Sequence, residues 1–280
     1  MPIYDQSYRP YRGALTSHTW RWWTITQAGL MQHLSRRLTL IFLFVAIIPA
    51  IVQGVIIWFS HQVTSQQNLF TVDPAFFRNF LWMQGPFLML VCVWPGATLI
   101  ARDLKTNAIQ LYLSRPLTRT DYVLGKFGIV AGVAMLLLPV PALLLFIMEI
   151  GLSTDTAFLA RYFWIPFAIL GYSAVVITGA ALLSLALSSI TRSGRYAGLL
   201  FFALVICSRI AAGVATLLTQ SHAWNVLSIG SLMDQVGALF FGGETEYGMH
   251  PVPAAFMYAL LVSACLLILR RRVKAVEIVT

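Results

Sequence analysis

The sequence predicts an all-α integral membrane protein with six transmembrane helices, and three observations predict it. Of 280 residues, 59% are apolar and 10% charged, whereas a soluble chain carries about 25% charged residues; mean hydropathy is +0.78. The apolar residues gather into runs that, at about 1.5 Å per residue, cross about 30 Å of hydrocarbon. Lys and Arg sort into alternate connections between those runs, the bias that orients inserted helices.

Residues 1–37 read as a cytoplasmic, interfacial segment. Trp20, Trp23, Leu30, Met31, Leu34 and Leu38 mark one helical face, with Arg21, Arg36 and Arg37 supplying charge. Such a helix lies along the inner leaflet, in contact with membrane lipids. The transmembrane domain follows over 38–269, with spans at about 38–59, 80–101, 123–148, 162–187, 197–219 and 252–269. Pro49, Gly85-Pro86, Pro95-Gly96, Pro139 and Pro141 fall inside them, and neighbouring helices can satisfy the carbonyls they free. Residues 270–280 form a basic tail. No signal peptide is expected, because the first apolar run is too long for one.

Sixteen of the 19 basic residues fall on the side of the N-terminal segment, the 102–126 region, the 188–196 connection and the tail. Both termini are therefore expected in the cytoplasm. Trp58, Trp82, Trp164 and Trp224 fall at the outer ends, as an aromatic belt. The net charge of +9 is accounted for by this sorting, and no nucleic-acid partner is expected. Cys92, Cys207 and Cys265 lie in apolar runs without metal-ligand spacing, and the five histidines are scattered. Metal and hydrolytic sites are therefore not expected.

Two connections carry more pattern than a loop needs. In the outer segment 220–251, Ile229, Leu232, Met233, Val236, Leu239 and Phe240 trace one helical face. This helix is too short to span, so it lies in the outer interface or dips in and returns. On the inner side, Leu104, Ala108, Leu111 and Tyr112 form one stripe of a short helix that Ser114-Arg115-Pro116 ends. Thr120-Asp121 supplies the expected cap of the next span. A short amphipathic helix held off the membrane suits docking by a partner.

This region carries a family resemblance. Ala101-Arg102-Asp103, the run from Leu111 through Ser114-Arg115-Pro116 to Leu117, and Leu124-Gly125-Lys126 resemble the permease subunits of type-2 ABC exporters. Tyr8-Arg9-Pro10-Tyr11-Arg12-Gly13 is similar to their entry segment, and the layout matches over the whole chain. Asn107-Ala108 departs from a common Gly-small pair. The resemblance implies a coupling helix in which Arg102, Asp103, Leu104, Leu111, Tyr112 and Arg115 meet an ABC ATPase subunit. Leu111 and Tyr112 would be the apolar anchors, with Arg102, Asp103 and Arg115 at the rim. The chain lacks a GxxxxGK[ST] phosphate loop. ATP and Mg therefore belong to the implied partner, no cofactor to this chain, and the chain is not by itself an enzyme. The resemblance further implies a second permease copy or paralogue, and a bacterial cytoplasmic membrane.

Two polar residues are candidates for a translocation path, Arg209 and Gln84. An Arg at a helix centre costs about 2.5–3.5 kcal/mol on insertion scales, while each central Leu, Ile, Phe or Val returns about 0.3–0.6. Eleven such residues in Leu199–Leu218 allow span 5 to insert. Glu149, Asp155 and Asp234 are candidate partners for the charge, which otherwise faces a path. Gln84 fits an interhelical hydrogen bond better than a ligand contact. Phe42, Phe44, Phe87, Met89, Phe201 and Phe202 make the expected path apolar, suited to a lipid-like or amphipathic substrate. Alternatives are an ion-driven secondary transporter, whose matched broken helices are missing here, and a membrane-embedded lipid-modifying enzyme, whose clustered acids and histidines are missing too.

Overall fold

The helices follow the hydropathy pattern but start and stop at polar caps rather than at the edges of the apolar runs. The computed structural model describes residues 20–63, 72–113, 117–153, 160–242 and 250–273, and among them there is no strand. The first described helix is α1 (Arg21–Leu34); span 1 is α2 (Arg37–Ala46) and α3 (Ile48–Val63). Span 2 comprises α4 (Pro74–Met83), α5 (Gly85–Val91), a π-helical turn (Cys92–Gly96) and α6 (Ala97–Lys105), after which comes the short α7 (Ala108–Leu113). Span 3 is α8 (Arg119–Leu137) and α9 (Pro139–Leu152), span 4 is α10 (Ile165–Ile190) and span 5 is α11 (Gly194–Thr219). Then come α12 (Ile229–Ala238) and span 6, α13 (Pro251–Arg272). Six segments of the described chain are long and apolar enough to cross a membrane.

Caps explain where the helices depart from expectation. Asp73 Oδ1 accepts from the Phe76 N–H at 3.0 Å, and Pro74 fills the first turn. Span 2 therefore begins at Pro74, and Arg78, expected in a loop, lies inside α4. Span 3 is capped by Thr118 instead of Thr120. Thr118 Oγ1 accepts from the Asp121 N–H at 3.1 Å, and the Thr118 N–H donates to Asp121 Oδ2 at 3.0 Å. Only from Thr118 does Asp121 sit three residues in, the spacing a capping box needs.

Breaks inside the spans coincide with the prolines. At Pro95 the helix widens into the π turn, and span 4 supplies hydroxyls to the disturbed backbone. Ser184 Oγ donates to Cys92 O at 2.7 Å, and Ser188 Oγ donates to Ala97 O at 2.6 Å while accepting from the Ala101 N–H at 2.9 Å. Spans 2, 3 and 4 form the core, where Phe77, Phe80, Ile100, Ile129, Ile169 and Leu185 are fully buried. Spans 1, 5 and 6 sit around it with broad apolar faces exposed, among them Phe44, Leu218 and Phe256.

Two elements are more deeply built in than their amphipathic patterns imply. Helix α1 lies along α8, with Trp20, Trp23 and Met31 exposed and Thr26 and His33 buried. The approach is so close that a Cβ on Gly125 would stand 2.7 Å from Ile25 Cβ and 3.1 Å from Trp22 O. Thr26 Oγ1 uses that proximity to donate to Gly125 O at 3.1 Å. Helix α12 is inserted between spans 4 and 6, with every residue from Ser231 to Ala238 buried.

Candidate functional site

The basic ends of the helices converge on one end of the bundle, where α6, α7 and α8 are clamped together by side chains. Lys126 Nζ lies 2.7 Å from Asp103 Oδ2. Tyr122 OH donates to the same oxygen at 2.7 Å. The ammonium also sits 5.4 Å from the Tyr112 ring centre and 5.5 Å from that of Tyr122, and the two rings are 5.4 Å apart. Tyr122 and Lys126 are one turn apart on α8, so one helix face presents both. The charge of Asp103 is thereby matched where both side chains are nearly buried, at 13% and 7% exposure.

This geometry gives two residues a different setting from the one expected of them. Asp103 and Tyr112 face inward as parts of the clamp, and Leu104 is half-buried. Arg102 is exposed, together with Lys105, Thr106, Asn107 and Gln110. The Leu111 side chain and Arg115 lie outside the described residues, as do residues 1–19 with the Tyr8–Gly13 run. Asn107 turns the chain from α6 into α7 with φ +52°. That left-handed conformation favours Gly, and Asn is one of the few other residues that adopt it, which accounts for the departure at this position.

Toward the opposite end, a cavity of about 560 Å³ opens between spans 2, 4 and 5 and α12. Leu81, Met89, Val176, Phe201 and Met233 give it an apolar wall, with Arg209 and Asp234 as its charged members. Arg209 is exposed on span 5 and makes no ion pair among the described residues. The acids proposed for it are engaged elsewhere. Asp234 Oδ2 is 3.6 Å from Arg78 Nη2 and Asp234 Oδ1 accepts from Tyr172 OH, while Glu149 is 3.1 Å from His61 Nε2. Asp155 lies outside the described residues.

Gln84 is fully buried and donates from Nε2 to Ala46 O at 3.1 Å, joining span 2 to span 1 where α2 ends. Phe42 and Phe87 pack at 6.2 Å across the same two spans. Met89 and Phe201 line the cavity, while Phe44 and Phe202 are exposed. The clamp and the Arg78–Asp234 pair were not foreseen. Their one signal in sequence is a charge within a helix that has to insert, and Arg78 precedes the expected start of span 2 at about residue 80. Among the described residues no group of three or more His, Cys, Asp or Glu is placed to hold a metal.

None of the curated proteins compared with the chain is similar enough to match. The family described as "ABC-2 family transporter protein" matches residues 30–270. That stretch contains spans 1 to 5, α7, α12 and all but the last two residues of span 6. A six-span α-helical chain with this match over most of its length belongs to the ABC-2 family of transporter proteins, as a membrane-embedded permease component.

Proposed function

We propose that this chain is the permease subunit of an ATP-driven exporter, with the basic end in the cytoplasm of a bacterial cell and a separate ABC ATPase docked beneath it. The observation that carries this reading is α7, a short helix tied by the Asp103–Lys126–Tyr122–Tyr112 clamp to spans 2 and 3 at once. A load on α7 is passed to both spans, because a matched buried ion pair resists separation. Arg102, Lys105, Thr106 and Gln110 are the exposed groups offered to the ATPase, and ATP and Mg bind in that partner. A second permease copy or paralogue packs against the exposed apolar faces of spans 1 and 5, which also border membrane lipid. The largely apolar cavity, with Arg209 in no ion pair among the described residues, suits a lipid-like or amphipathic substrate bearing negative charge.

The test is the full-length tagged chain purified from its own membranes. An ATP-hydrolysing subunit is expected to co-purify, and Thr106→Asp/Gln110→Asp is expected to lower substrate-stimulated turnover while leaving insertion intact. Normal turnover in that variant, or no associated ATPase, overturns the reading.

A further inference from the structure

A second cavity, of about 740 Å³, opens at the basic end between the end of α1, α6 and the start of α11. Its wall carries Arg36, Arg102, Lys105, Lys126, Arg192 and Arg195 against one carboxylate, Asp103. Asp103 is committed to Lys126 at 2.7 Å, and the other five cations have no ion-pair partner among the described residues. Charge of one sign collected in a concave site repels itself and focuses a field that draws counter-ions. The Asp103–Lys126 pair closes the floor, and the unmatched cations converge on the space from three separate stretches of chain.

A helix end adds to the field. Ser193 and Gly194 line the cavity at the start of α11, a helix of 26 residues with no side-chain cap at that end. Its first-turn N–H groups and the positive end of its dipole point to the same place. His33, also in the wall, is shifted below the usual histidine range by burial first and then by Arg36, Lys126 and Arg102. The neighbouring cations therefore already oppose one more positive charge.

We propose that this cavity binds a phosphate group, carried by an anionic lipid headgroup or by a free phosphate ester. Guanidinium groups match phosphate oxygens in pairs, which lysine and backbone N–H donors supplement. Trp94, 56% exposed, forms an apolar edge of the same wall, where a lipid's glycerol and first methylenes would rest. The proposal goes beyond the permease reading and does not need the ATPase, so each can fail alone.

The test uses the full-length chain in nanodiscs of neutral phosphatidylcholine, with dioctanoyl phosphatidylglycerol and inorganic phosphate as probes. Phosphatidylglycerol is expected to bind saturably, and Arg192→Gln/Arg195→Gln to weaken it at least about tenfold. Arg270→Gln/Arg271→Gln, at the same end but outside the cavity, leaves binding unchanged. Inorganic phosphate that displaces the lipid, or binds alone with the same sensitivity to Arg192 and Arg195, supports the site and assigns it to free phosphate esters. Binding of the lipid only assigns it to headgroups. No binding of either probe, or equal loss in both double variants, overturns the proposal, the second result marking diffuse surface attraction.

Discussion

Asp103 and Lys126 hold each other at 2.7 Å with both side chains largely shielded from water. Removing one partner strands the other, at a cost of about 3 kcal/mol, whereas removing both is far milder. Asp103→Asn is expected to lower the melting temperature in detergent strongly, and Asp103→Asn/Lys126→Met to recover most of the loss. His33 acts through protons. Its native pKa lies below 6.5, so the unfolded chain binds the proton more readily. Its contribution to stability is complete above that value and is lost as pH falls below it toward the native pKa. Melting temperatures taken between neutral pH and about pH 5 should fall less in His33→Gln than in the parent. At Arg209 the informative comparison is Gln against Lys. With assembly intact in both, loss of substrate stimulation in Arg209→Gln and its retention in Arg209→Lys would put the charge on the path; unchanged stimulation would remove it from the mechanism.

At the scale of elements, α1 and α8 meet over glycines, and that contact admits no side chain. A leucine at Gly125 would collide with Ile25 and with the Trp22 carbonyl, a backbone atom that cannot turn aside. Overpacking of this kind costs about 1–3 kcal/mol. Gly125→Leu is therefore expected to loosen α1, seen as faster tryptic cleavage at Arg36 with spans 2 to 6 still protected. Cleavage at the parental rate would show that the seam yields. The same seam makes α1 part of span 3's packing rather than a float on the leaflet. Any displacement of α1 is handed to α8, and through Lys126 to the clamp.

For the whole molecule, the sorting of 16 of 19 basic residues to one end is a statement about orientation. In a Cys207→Ala background, Ala223→Cys is expected to react with an impermeant maleimide from outside intact cells, and Thr106→Cys only after lysis. The reverse pattern would invert the topology. The spans and their breaks were legible because hydropathy and proline act locally. The depth of α12 was not, since its polar face, carrying Ser231, Asp234 and Gln235, is buried as well as its apolar one. Tyr172 and Arg78 make that burial tolerable for Asp234, and both come from distant spans. The clamp was hidden for a related reason. Asp103 and Lys126 lie on different helices, and whether they meet depends on how far span 2 has rotated by residue 103.

That rotation is set by the π turn at Cys92–Gly96. A turn holding one extra residue delays everything after it by about 100° relative to an unbroken α-helix. Leu81 and Met89, before it, address the apolar cavity; Asp103, after it, addresses Lys126. The π turn offsets the second half of the span from the first, and Ser184 and Ser188 of span 4 bond the backbone on either side of it. Deleting one residue within Cys92–Gly96 would swing the basic end about 100° against the cavity-lining half, while leaving the length and hydropathy of span 2 almost unchanged.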